Sequence, residues 1–154
     1  MILYHGSTME VSQPRILKSE IGRDFGFAFY TTDIQAQAER WARRRAMIES
    51  RRTKTEIQAI VSVYEWDDSA AKHLQFLQFD GVSMEWLELV VTCRSRTDYS
   101  HGYDIVEGKI ANDNVGETVS YVMQGIMRKE DAIERLRFEQ TVFTLLSYFC
   151  VLKF

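Results

Sequence analysis

Runs of apolar residues, some alternating and some recurring at helical spacing, divide the chain into short segments. Ile2–His5 is a short apolar run stopped by Gly6-Ser7-Thr8, which predicts a strand entering a turn. Asp24–Tyr30 (DFGFAFY) is rich in aromatics with one glycine and predicts a second strand. Thr32 and Asp33 offer caps to a helix running from Ile34 into the forties. Ile34, Ala38 and Trp41 recur at helical spacing, with Ile48 two turns on, and together predict its inward face. Arg45 falls on that same face, which predicts a fray, bend or end there. Ile57–Trp66 alternates, setting Ile57, Ala59, Val61 and Val63 on one face of a strand. Leu74–Phe79 is a shorter strand. Ser83–Val91 places Trp86, Leu87, Val90 and Val91 on one face of a helix capped by Ser83. Tyr103–Ile110 returns to strand. Val115, Val119, Val122, Met123 and Ile126 form the cleanest helical stripe, and Lys129–Phe138 forms a further helix with Ala132, Ile133 and Leu136 inward. The apolar tail from Thr141 to Phe154 reads equally as a final strand or a buried helix. Strands and helices are interspersed without strict alternation, which predicts an α+β fold rather than a doubly wound sheet.

Composition changes this picture little. A chain of 154 residues with 45% apolar and 27% charged content suits a single domain over 1–154 and excludes a disordered chain. Lys and Arg number 19 against 22 Asp and Glu, a net charge of −3, so no overall charge marks a binder of nucleic acid or membrane. One stretch departs from that balance. Arg40, Arg43, Arg44, Arg45, Arg51, Arg52 and Lys54 are opposed between 40 and 54 by Glu49 alone, a local +6. Such a stretch suits a solvated helix face, or else a phosphate-bearing acceptor, a nucleic acid or an acidic partner. Cys93 and Cys150 stand far apart with no zinc or redox spacing, so neither a disulfide framework nor a metal centre is expected. The opening residues lack a basic stretch ahead of an apolar one, and Val142–Leu152 is too short to span a bilayer. A cytoplasmic protein without membrane contact is the expectation. Neither the dinucleotide-fold glycine fingerprint nor the P-loop occurs.

Three polar groupings could carry chemistry. His5 closes the first strand ahead of Gly6 and Ser7, where glycine allows close backbone approach and imidazole can donate or accept a hydrogen bond. Taken alone, a purely structural histidine is the stronger reading of that position, since lone histidines are common at strand ends. Tyr30, ending the aromatic strand, offers a flat face for a planar cationic ring, or simply occupies the strand face opposite Phe25, Phe27 and Phe29. Asp104 interrupts an apolar strand, whereas Asn112, Asp113 and Asn114 suit turn and cap chemistry before a helix.

The order LYHGST, DFGFAFYTT, then a helix with Gln37-Ala38 and Trp41-Ala42, resembles a bacterial domain-of-unknown-function family related to the ADP-ribosyltransferases, in their His-Tyr branch. The likeness continues through VSVYEWD, Phe79-Asp80, EWLELVV, YDIVEGKIANDN and KEDAIERL, nearly the whole chain. It implies split sheets around an NAD cleft with flanking helices. It further implies that His5 holds the nicotinamide-side ribose, that Gly6 meets the carboxamide through its backbone, and that Tyr30 stacks on nicotinamide. Ser7, Thr31 and Thr32 would line the same edge, and Asp104 is an alternative carboxylate for the cleft. Gln140, on an expected strand after the KEDAIERL helix, is the nearest match to the third catalytic position, commonly a glutamate. Gln140 brings no negative charge, and Ala28 stands where the family pattern expects glycine. The implied activity is NAD-dependent transfer of ADP-ribose to a macromolecular acceptor, in the manner of a bacterial toxin or defence effector with a small neutralising protein partner. The competing expectations are a weak or inactive descendant that binds NAD or a protein, and a purely structural interaction module.

Overall fold

The computed structural model describes residues 1–18, 21–67, 69–109, 113–142 and 147–151. Its elements, in chain order, are β1 (Ile2–Ser7), β2 (Phe29–Thr31), α1 (Gln35–Thr53), β3 (Ile60–Glu65), β4 (Phe76–Gln78), α2 (Met84–Ser95), β5 (Ile105–Lys109), α3 (Asp113–Met123), α4 (Lys129–Val142) and β6 (Ser147–Val151). Strands β1 and β3 pair antiparallel as a two-stranded sheet with His5 opposite Ser62. The other four strands form a sheet in the order β2-β6-β5-β4, parallel between β4 and β5 and antiparallel elsewhere. Reciprocal backbone hydrogen bonds between Tyr4 and Thr32, at 2.8 and 3.0 Å, join the two sheets at one point. The protein is thus mixed α and β, with two small sheets and four α-helices among the described residues.

The larger sheet carries the main core. Helices α2, α3 and α4 set Trp86, Leu87, Val90, Val119 and Leu136 against Val106 of β5 and against Phe25. Ser83 caps α2, its hydroxyl accepting the Trp86 N–H at 3.1 Å, as the sequence predicts. The Trp86 indole is fully buried and donates to the Lys109 carbonyl at 2.9 Å, so its one polar atom is satisfied. Tyr30 and Leu77 pack on the same cluster, placing β2 and β4 over it.

The smaller sheet is built differently. A Cβ at Gly6 would stand 2.1 Å from the Ala38 carbonyl oxygen and 2.9 Å from the Ala42 nitrogen, so backbone meets backbone where α1 crosses β1. That approach requires small residues, and the buried face of α1 is Gln37, Ala38, Ala42 and Ala46. The expected inward face therefore survives only at Ala38. Ile34, Trp41 and Ile48 lie on the exterior, 41%, 40% and 50% exposed. Arg45 is exposed as well, and the helix runs past it to Thr53 without ending.

Other expectations change for local reasons. The DFGFAFY strand is reduced to its end. Residues 24–28 form turns, with Gly26 at a φ of 79° and its N–H bonded to the Arg23 carbonyl at 3.1 Å. The Arg94 Nε donates to the Asp24 carboxylate at 2.6 Å, which ties this turn to α2. Strand β3 starts at Ile60, and Ser62 is buried where Val63 is exposed, the reverse of the expected face. The cause is the loop after β1: the Val11 N–H donates to the Ser62 hydroxyl at 3.0 Å, and the Tyr64 hydroxyl donates to the Val11 carbonyl. The α1 cap is Ile34, which makes no side-chain cap; Thr32 accepts the Ile34 N–H at 3.2 Å. Of the apolar tail, residues 147–151 form β6, between β2 and β5, while 143–146 and 152–154 lie outside the described residues. Asn112 also lies outside them, and Asp113 and Asn114 open α3.

Candidate functional site

Register fixes which side chains share the space between the sheets. Leu3, His5 and Ser7 stand across from Tyr64, Ser62 and Ile60, on the opposite face of this sheet from Gly6. The His5 ring stacks on Phe29 of β2 with centroids 4.3 Å apart, and Phe29 meets Tyr64 edge-on at 5.6 Å. His5 Nδ1 donates to the Tyr30 carbonyl at 2.7 Å. Since a carbonyl only accepts, Nδ1 carries the proton, and Nε2 of the neutral ring is left as an acceptor. Burial, outweighing the Tyr30 hydrogen bond, and the nearby Arg45 charge hold the imidazole pKa below its ordinary 6.5. The ring is thus oriented, neutral and able to accept a hydroxyl proton at its far nitrogen. A cavity of about 410 Å³ opens between residues 10–12 and β3, with Ser62, the cross-strand neighbour of His5, in its wall.

The neighbouring candidates are held more firmly than an open cleft requires. The Tyr30 hydroxyl donates to the Gly26 carbonyl at 2.8 Å and accepts the Phe25 N–H at 3.2 Å, closing the 24–28 turn. Thr31 and Thr32 are buried, and Thr32 donates to the Gln37 Oε1 at 3.0 Å. Gln37 is 1% exposed, and its Nε2 has no hydrogen-bond partner among the described residues. The close approach that Gly6 permits is taken by α1. Ser7, at the end of β1, remains half-buried.

With that geometry in place, the comparisons add one finding. A family model described as a protein of unknown function (DUF3990) matches residues 1–154. The chain belongs to that family. No curated protein and no solved structure matches the chain.

The remaining candidates of the DUF3990 chain fall into two groups. Asp104 is buried and acts on backbone: its Oδ2 accepts the Gln75 N–H at 2.9 Å, while its own N–H donates to the Gln75 carbonyl at 2.8 Å. This clamp sets the parallel start of β4 and β5. Gln140 stands in the last turn of α4, so the strand expected to carry it is absent; the helix that begins at Lys129 continues to Val142. The structure thus brings His5 onto the Tyr30 backbone carbonyl, but the Tyr30 side chain lies on the sheet face opposite Phe29 and packs on the larger core, away from the His5 ring; Asp104 stands just before β5 and Gln140 on α4.

Glu107 is the carboxylate that the sequence reading passes over. Thr31 and Glu107 share a register row, each paired with residue 149 of β6, so they lie on one face of the sheet, the Phe29 face. Burial raises the Glu107 pKa, as do the charges of Asp33 and Asp80, against a lowering hydrogen bond with Gln78. The signal was present in YDIVEGKI, an acidic position between apolar and glycine residues of a strand. No group of His, Cys, Asp or Glu among the described residues is arranged to hold a metal ion, and no described helix is long and apolar enough to cross a membrane.

Proposed function

We propose that the DUF3990 chain uses NAD as a substrate in the space between its two sheets and transfers ADP-ribose to an acceptor. Its fold is then the ADP-ribosyltransferase one, with split sheets around an NAD cleft. The observation that carries this reading is His5: oriented through Nδ1 by the Tyr30 carbonyl, stacked on Phe29 and left with an accepting Nε2. That nitrogen suits a ribose hydroxyl, and the ordered LYHGST and FYTT segments that supply it carry the family resemblance.

In the reaction, the bond between nicotinamide and ribose breaks, and its electron pair leaves with neutral nicotinamide. The ribose gains oxocarbenium character until the acceptor oxygen or nitrogen bonds to the anomeric carbon and loses its proton. His5 acts by positioning the ribose. Glu107, on the same sheet face as Thr31, is the carboxylate offered to the developing cation, in place of Gln140. Water in place of the acceptor gives hydrolysis at the same site.

The test is release of free nicotinamide from NAD by the purified protein, compared with His5→Ala and Glu107→Gln, each shown folded by its melting transition. The expected result is a fall of at least about 100-fold in both variants. Unchanged release in His5→Ala overturns the assignment.

A second reading has its own support. The Tyr30 hydroxyl is committed to the 24–28 turn, and Thr31 and Thr32 are buried, which favours a weak or inactive descendant that binds NAD without cleaving it. Binding of NAD without nicotinamide release distinguishes it.

A further inference from the structure

Helix α1 has two apolar stripes. The alanine stripe Ala38, Ala42, Ala46 packs on β1, while Ile34, Trp41 and Ile48 recur every seventh residue on the outside. At 3.6 residues per turn this second set drifts by only about 20° per heptad, a narrow seam along the helix and its cap. Arginines line both sides of it: Arg40, Arg44 and Arg51 on one, Arg45 and Arg52 on the other, all exposed. Intrahelical carboxylates hold Arg43 and Arg52 through Glu39 and Glu49. Arg40 and Arg51 make no ion pair among the described residues.

We infer that this face of α1 docks an acidic amphipathic helix of a partner protein, whose apolar residues lie along Ile34, Trp41 and Ile48 and whose carboxylates meet the flanking arginines. Two features select that occupant, and the same two exclude the alternatives. An apolar row spaced by sevens matches the seam of a paired helix. Cations on both flanks call for acidic flanks opposite. A helix lying in a lipid surface presents a broad apolar face, and here burial in lipid would take arginines with it. A nucleic acid would use the arginines but leave Ile34 and Ile48 uncovered. The seam begins two residues after Thr32, whose backbone pairs with Tyr4 beside His5. It stands whether or not NAD is cleaved.

The test uses the full chain and a helical peptide of about three heptads, with leucine at the core positions and glutamate beside them. Two control probes are the same peptide with its leucines replaced by serine, and a single-stranded oligonucleotide. Binding is followed by anisotropy of the labelled probe. The expected result is binding to the leucine peptide that falls at least about 10-fold in Trp41→Ser and in Ile48→Ser, and again in the double variant Arg40→Glu/Arg51→Glu. All four positions are exposed, and each variant is checked by its melting transition. Absence of binding, binding untouched by Trp41→Ser, equal binding of the serine peptide, or tighter binding of the oligonucleotide each overturns the proposal.

Discussion

The two halves of the molecule are held together by opposite means. Around the larger sheet, stability comes from side-chain volume: Trp86, Leu87, Val90 and Leu136 fill the space between three helices and β5. Around the smaller sheet, α1 lies directly on the β1 backbone at Gly6, and much of what fixes the neighbouring segments is polar. His5 bonds to the Tyr30 carbonyl, Thr32 to Gln37, and Ser62 to Val11. A half built on backbone contact has few bulky groups to bury, so it keeps a polar ring such as His5 partly accessible between the sheets. The volume-filled half serves as the frame against which that ring is set.

The largest expected effect breaks the frame. Trp86→Ala removes a fully buried indole and its bond to Lys109, and urea unfolding is expected to show a loss of about 4 kcal/mol. The backbone half responds to the opposite change. Gly6→Val drives a side chain into the Ala38 carbonyl, and the expected cost is roughly 3 kcal/mol as α1 is pushed off β1. Hydrogen exchange along α1 and β1 should rise in that variant more than along α2 and α4, which separates a local opening from global loosening.

The smallest effect is a pH dependence. The folded His5 pKa lies below 6.5, so folding favours the neutral ring and binds fewer protons there than the unfolded chain. The associated stability is complete above the ordinary histidine pKa and is lost as the pH falls through the folded value. Melting of the wild type against His5→Gln, from pH about 7.5 down to about 5, should show a steeper fall in the wild type.

These differences also explain what could be read from the chain alone. Segments whose fate depends on side-chain volume were legible: the Ser83 cap with Trp86 and Leu87 behind it, and Ala132, Ile133 and Leu136 on α4. Helical spacing chooses the bulkiest residues as the inward face, which is why Ile34, Trp41 and Ile48 hide the alanine stripe that the Gly6 contact demands. The DFGFAFY segment has strand composition, yet the Asp24 ion pair with Arg94, 70 positions away, and the Tyr30 hydroxyl fold it into turns. No local pattern encodes partners that distant. Of the candidate site, His5 meets the Tyr30 carbonyl because the Tyr4–Thr32 bridge lays β1 beside β2, a long-range pairing that the two motifs do not display locally. The placement of Glu107 depends on β6 lying between β2 and β5, a pairing that sequence order does not display.

The most direct measurement is an NMR titration of the protein with NAD, following the imidazole nitrogens of His5 in the wild type and the backbone amides of β1 and β2. The expected result is a saturable shift of the His5 Nε2 signal, with Nδ1 still protonated toward Tyr30 and the amides of residues 4–7 and 29–32 moving with it. An Nε2 signal and neighbouring amides that stay still at NAD concentrations well above the millimolar range would contradict a substrate site between the two sheets.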